Sequence, residues 1–128
     1  MIKVLPLFLD LQGRESVSPS LYDRDAYQAQ LRRIPAQRSA LRFDIQWKAK
    51  APKTLDLQMI VQVRGVAKGE VPKEIVLEKH VKQAGWFSHW TGVQLAEVEY
   101  QSIGEVTAWR VSLWDGDKLL SEQKSFLW

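Results

Sequence analysis

The chain has no cysteine and no asparagine. The first absence removes disulfides, thiolate metal ligands and cysteine nucleophiles together. The second removes every Asn-x-Ser/Thr glycosylation acceptor. Histidine occurs only as His80 and His89, and neither takes part in a spacing such as His-x-x-x-His that would place two ligands on one metal. Ser88 and His89 are adjacent in sequence, and adjacent residues on a strand point to opposite faces, so they cannot form a hydrolase pair. Gly-x-Ser-x-Gly, a glycine-rich phosphate loop and a Walker lysine are all missing. The expectation is a protein that is not an enzyme, with no catalytic residue, no metal and no cofactor.

Long apolar runs are missing as well, and nothing approaches the ~20 residues of a membrane span. The apolar stretch at residues 2–9 ends at Asp10, contains Pro6 and has no small-x-small cleavage site before Arg14. It reads as a first strand rather than a leader, so the expected protein is soluble and cytoplasmic, with no membrane partner. Lysine and arginine number 18 against 15 acids, a net charge of +3, which is too small an excess for a dedicated nucleic-acid binder.

What is present is strand periodicity. With 128 residues, 45% of them hydrophobic, the chain suits one domain over residues 1–128 that stands on its own core. In 41–50, Leu41, Phe43, Ile45, Trp47 and Ala49 share one parity, against Arg42, Asp44, Gln46, Lys48 and Lys50. In 55–64, Leu55, Leu57, Met59, Val61 and Val63 alternate with Asp56, Gln58, Ile60, Gln62 and Arg64. Period-2 alternation is the mark of a half-buried strand, and these two runs read as an antiparallel pair whose greasy face is covered by the 105–128 hairpin.

Around that pair the chain punctuates itself. Pro6 cannot donate to a ladder, so the first strand either lies at an edge or switches between sheets near Pro6. Residues 20–34 depart from strand alternation and predict the single helix, with Ser20 as cap, Arg32 and Arg33 in the last turn, and Pro35 as the stop. Gly65 and Gly69 suggest a turn over 65–71. In 72–82, Ile75, Leu77 and Val81 share a face with Lys79, the pattern of an edge strand carrying a protective charge. Residues 96–102 read as a helical turn or a crossing loop. Asp115-Gly116 between two alternating runs predicts a hairpin with a type I′ turn. The total is about seven strands with turn signals every ~8–12 residues, the arithmetic of a two-sheet antiparallel β-sandwich of immunoglobulin or fibronectin type.

Six tryptophans are the unusual resource. Trp47 and Trp109 share their faces with aliphatic residues and belong to the core. Trp114 shares its parity with Arg110 and Ser112, which aims it outwards. Trp86 and Trp90 sit in an aromatic-dense stretch, placed either with Trp114 or over the inner face of the second sheet, and Trp128 ends the last strand. Exposed aromatic rings anchor protein interfaces, where Trp and Arg dominate, or stack on sugars. The candidate binding residues are therefore Trp86, Trp90, Trp114, Arg110 and Trp128. The expected partner is another protein, or a second copy meeting a strand edge, with a glycan on Trp86, Trp90 and Trp114 as the alternative. Arg32, Arg33, Arg38, Arg42, Lys48, Lys50 and Lys53 form a basic stretch that lacks the interleaved aromatics of a nucleic-acid platform, and it reads as solvated surface.

Overall fold

The computed structural model describes residues 2–49, 56–67, 69–82 and 88–128. Seven strands and two helices follow one another as β1 (Ile2–Asp10), α1 (Leu21–Arg33), β2 (Arg38–Trp47), β3 (Asp56–Ala67), β4 (Val71–Lys82), β5 (His89–Ala96), α2 (Glu97–Ile103), β6 (Glu105–Asp115) and β7 (Lys118–Lys124), with a 3-10 turn at Pro35–Gln37. They form two antiparallel sheets, one in the order β1-β2-β5 and the other β4-β3-β6-β7. The sheets face each other across one core, the sandwich that the alternation implies.

That core is built from the inward parities. Leu41, Phe43, Ile45 and Trp47 on β2 meet Leu57, Met59, Val61 and Val63 on β3 and Val111 and Leu113 on β6. A buried side chain of this size contributes roughly 1.5–3 kcal/mol. Phe43 meets Trp109 edge-to-face with ring centroids 5.9 Å apart. Trp47 is 1% exposed. Its indole Nε1–H donates to Thr91 Oγ1 at 2.9 Å and its ring lies 4.9 Å from His89, so the one polar atom of the largest core residue is satisfied from β5.

Several expectations need correction. The runs containing β2 and β3 do not pair; they belong to different sheets and face each other. Alternation reports which face of a strand is buried and is silent on which neighbour its backbone bonds. The sheet of the β6–β7 hairpin does cover Trp47 and Phe43, but β3 is the partner of β6 rather than a strand beneath it. Among the described residues there are two helices rather than one, because residues 97–103 close into α2. Gly65 lies inside β3, at a register shift opposite β6, instead of in a turn. A Cβ there would sit 2.5 Å from the carbonyl oxygen of Ile103, so it is close approach that requires glycine. The final strand stops at Lys124. The hairpin loop is Gly116-Asp117, since Asp115 pairs with Lys118 and only Gly116 has positive φ (58°). That is the type II′ requirement, glycine at the first central position, rather than type I′.

Helix α1 begins where its cap predicts, with Ser20 accepting from the Asp23 N–H at 3.4 Å. Its inner face holds Leu31, fully buried, while β1 turns Leu7 and Leu9, each 3% exposed, away from the main core cluster. The helix also closes the open edge of β1. Gln28 is 4% exposed; its Oε1 accepts from the Phe8 N–H at 2.8 Å and its Nε2 donates to the Phe8 carbonyl at 2.7 Å. One amide thus stands in for a neighbouring strand. Further along the edge, Pro6 has no N–H and the Val4 N–H donates to Gln123 Oε1 at 2.6 Å. These are the devices by which proteins blunt an edge against foreign strands. Replacing Gln28 with leucine leaves both Phe8 groups without partners and is expected to cost about 2 kcal/mol, read as a lower urea midpoint at unchanged slope, together with concentration-dependent aggregation.

Lys79 behaves as the pattern implies. It lies on the inward parity of β4, and its Nζ donates across the seam between the sheets to the Gly92 carbonyl of β5 at 3.2 Å.

Candidate functional site

The outer face of the four-stranded sheet collects three of the expected residues. Opposite the core parity, β3 presents Gln58, Ile60, Gln62 and Arg64, paired in register with Trp114, Ser112, Arg110 and Ala108 of β6. Trp114 is half-buried, because its Nε1–H donates to Ser112 Oγ at 2.9 Å and draws the indole along the strand over a serine that is 1% exposed. Arg110 donates from Nε to Glu122 Oε2 at 2.7 Å, which pins its guanidinium against β7. Trp128 reaches the same face from beyond β7: the Arg64 guanidinium stacks 3.6 Å above its ring. Arg64 also meets Glu74 of β4 at 3.3 Å. The segment 125–128 is held by Ser125, whose N–H donates to the Trp109 carbonyl and whose Oγ accepts from the Trp109 N–H, both at 2.9 Å.

Exposed apolar side chains interrupt an otherwise polar surface of Gln58, Gln62, Glu74, Glu78 and Glu122. Val76 on the outer parity of β4 is 48% exposed, Leu127 is 72% exposed and Phe126 is completely exposed. Sequence reasoning did not single out Phe126, since strand parity assigned it a side of a strand that has already ended.

Trp90 lies elsewhere. It pairs with Gln46 on the outward parity of β5 and is 63% exposed, on the opposite surface of the sandwich from Trp114. The two rings therefore do not form one patch. Parity along a single strand tells inside from outside, and cannot tell which of two outsides is meant. Trp86 lies outside the described residues.

Two cations of the basic stretch are held by specific partners. Arg42 donates to both carboxylate oxygens of Asp44, at 2.7 and 3.0 Å, and reaches Glu15 at 3.0 Å; hydrogen bonds to Asp44, outweighing burial, hold its pKa above the ordinary value. Arg38 stacks on Phe8, 4.4 Å from the ring centroid. Lys50 and Lys53 lie outside the described residues. His80 and His89 sit on strands of different sheets. Among the described residues no three metal-ligating side chains gather, and no helix is long and apolar enough to cross a membrane.

No family model, curated protein or solved structure matches the chain, so what can be said of its chemistry comes from its own residues.

Proposed function

We propose that this is a non-enzymatic, cytoplasmic interaction module that binds a partner protein, or a second copy of itself, through the outer face of its four-stranded sheet. The observation that carries the reading is that Trp114, Arg110 and Trp128 lie along one face, which also carries the exposed Val76, with the fully exposed Phe126 two residues before Trp128. Tryptophan and arginine are the usual anchors of protein interfaces, and exposed large apolar side chains beside them, as at Val76 and Phe126, add to the area a partner can bury. The edge of β4 adds a second route, since β4 ends its sheet while the edge of β1 is occupied by Gln28 and Gln123. The pairing of Ile2–Asp10 with β2 supports reading the apolar N-terminal run as part of the domain.

The finer fold type belongs to the same proposal. Neighbours β1-β2-β5 facing β3-β6-β7 support an immunoglobulin or fibronectin-type sandwich; in the seven-stranded immunoglobulin constant type the fourth strand joins the first group, whereas here β4 borders β3.

Two exposed-site variants test the interaction. Val76→Lys and Phe126→Ser should leave the melting temperature unchanged while abolishing whatever the wild type does in sedimentation across concentration and in crosslinked pull-downs. A wild type that stays monomeric and recovers the same proteins as both variants sinks the proposal. Trp90 favours a glycan reading instead, being an exposed ring beside Gln46 with the side-chain-free Gly92 next along its face. Fluorescence quenching by a polysaccharide that Trp90→Ala removes would select it.

A further inference from the structure

Where β1 ends, β2 begins and α2 crosses, one end of the sandwich carries a groove of about 470 Å³ lined by Leu11, Pro35, Arg38, Ser39, Val98 and Tyr100, among others. A smaller cavity of about 260 Å³ lies on the other side of Arg38 and Tyr100, where Phe8, Arg32 and Glu105 complete the wall. Arg38 and Tyr100 thus form a partition between two hollows.

The Arg38 Nε–H is buried and has no acceptor among the described residues. Its guanidinium is held face-on to Phe8, which fixes the plane of the donor fork without engaging any of its hydrogens. A buried cationic N–H without an acceptor is costly and calls for one. Ser39, which also lines the groove, directs its hydroxyl proton to the Asp10 carbonyl at 2.5 Å. Burial pushes the Tyr100 phenol above its usual value, outweighing the charge of the adjacent Arg38 and its hydrogen bond to the phenol oxygen, so Tyr100 stands beside Arg38 with its own proton still to donate. The cations Arg32 and Arg38 face a single lining acid, Glu105. Gln101 adds one more polar group to the lining, and the hydrocarbon comes from Leu11 and Val98, 71% and 76% exposed, which stand at the rim with Pro35.

We infer that this groove binds an amphipathic carboxylate of medium chain length, its carboxylate accepting from Arg38 and Tyr100 and its hydrocarbon lying along Leu11, Pro35 and Val98. A planar guanidinium fork matches a carboxylate, and the volume is that of a small-molecule site with apolar walls and few polar groups. The site lies apart from the interaction face and stands independently of it.

Decanoate, below its micellar concentration, is the probe, and the Arg38 Nε–H NMR resonance with the Leu11 and Val98 methyls is the readout. Decanoate should shift these signals saturably at sub-millimolar concentration. Acetate should not saturate them, and decanol should bind at least tenfold more weakly. Arg38→Gln should weaken decanoate at least tenfold. Val98→Asp, at an exposed rim position, should do the same without moving the melting temperature, and so keeps the test open if Arg38→Gln does not fold. Unsaturable or scattered shifts, decanol binding as well as decanoate, or Val98→Asp binding as the wild type does would each overturn the inference.

Discussion

Replacing Gly104 with alanine is expected to cost about 4–6 kcal/mol, enough to remove most of the stability of a typical domain, about 5–15 kcal/mol in all. Gly104 ends α2 and begins β6 with φ 72° and ψ −135°, a region that side-chain-bearing residues enter only under strain of roughly 1–3 kcal/mol. Steric contact costs more than this strain. A Cβ at this position would lie 2.1 Å from the Val66 carbonyl oxygen and 2.6 Å from the Ala67 Cα. Both atoms are backbone, so no rotamer change relieves the clash, and the end of β3 must move. Since Val66 pairs with Glu105 and Gly65 with Val106, that movement opens the β3–β6 ladder where the two sheets are tied by α2. Gly13→Ala is the control: its φ is 79°, yet no atom lies within 4 Å of the added carbon, and its cost should stay near 1 kcal/mol. Urea unfolding of both variants decides the matter, and a Gly104→Ala cost no greater than that of Gly13→Ala would show that the β3 backbone yields freely.

The contrast between those glycines marks the limit of what the sequence can say. Gly13, Gly69, Gly104 and Gly116 are alike in it, and all four adopt positive φ, but only at Gly104 does a remote strand press on the missing side chain. The same division runs through the fold. The alternation in 57–63 and 41–47 was legible because burial is written into each residue, and it identified the core face of β2 and β3 residue by residue. Which strand neighbours which is decided by ladder partners carrying no side-chain signal, so two strands facing each other across a core looked like a hairpin. Trp114 and Arg110 could be placed outward by parity, whereas the separation of Trp90 onto the other surface is a property of the sandwich as a whole. Arg38 illustrates the remaining gap. In sequence it is one cation of a basic run; only folding sets Phe8 against its plane and Tyr100 beside it.

Asp10→Ala is the second large effect, about 3–5 kcal/mol. Asp10 is 4% exposed and joins three parts of the chain: its Oδ1 accepts from the Gln12 and Arg14 N–H groups at 2.9 and 2.8 Å, and its Oδ2 accepts from Arg14 Nε at 3.1 Å and from the Tyr27 hydroxyl of α1 at 2.7 Å. Truncation strands two backbone donors and a phenol, at roughly 1–3 kcal/mol for each that water does not reach; the half-exposed Arg14 side chain finds solvent and adds little. Burial by itself raises the Asp10 pKa, and the hydrogen bonds from Arg14, Tyr27 and Gln12 together outweigh it, leaving the carboxyl below its ordinary value. The same bond, more than burial, raises the Tyr27 phenol. The sign of the pH dependence follows. A carboxyl with a lowered native pKa contributes its full stabilisation above the unfolded value of about 3.9, and loses it as pH falls through the lower native value. The gap between wild type and Asp10→Ala should therefore hold from pH 7 to about 5 and narrow steadily towards pH 2, measured by urea unfolding at each pH. Tyr27→Phe should lose about 1.5–3 kcal/mol at pH 7, as expected for a bond to a charged acceptor, and should titrate at a higher pH than wild type on the acid side, because one of the bonds holding the carboxylate ionised is gone. A gap that stays constant down to pH 2 would mean that Asp10 holds the loop and helix by shape alone, with its charge contributing nothing.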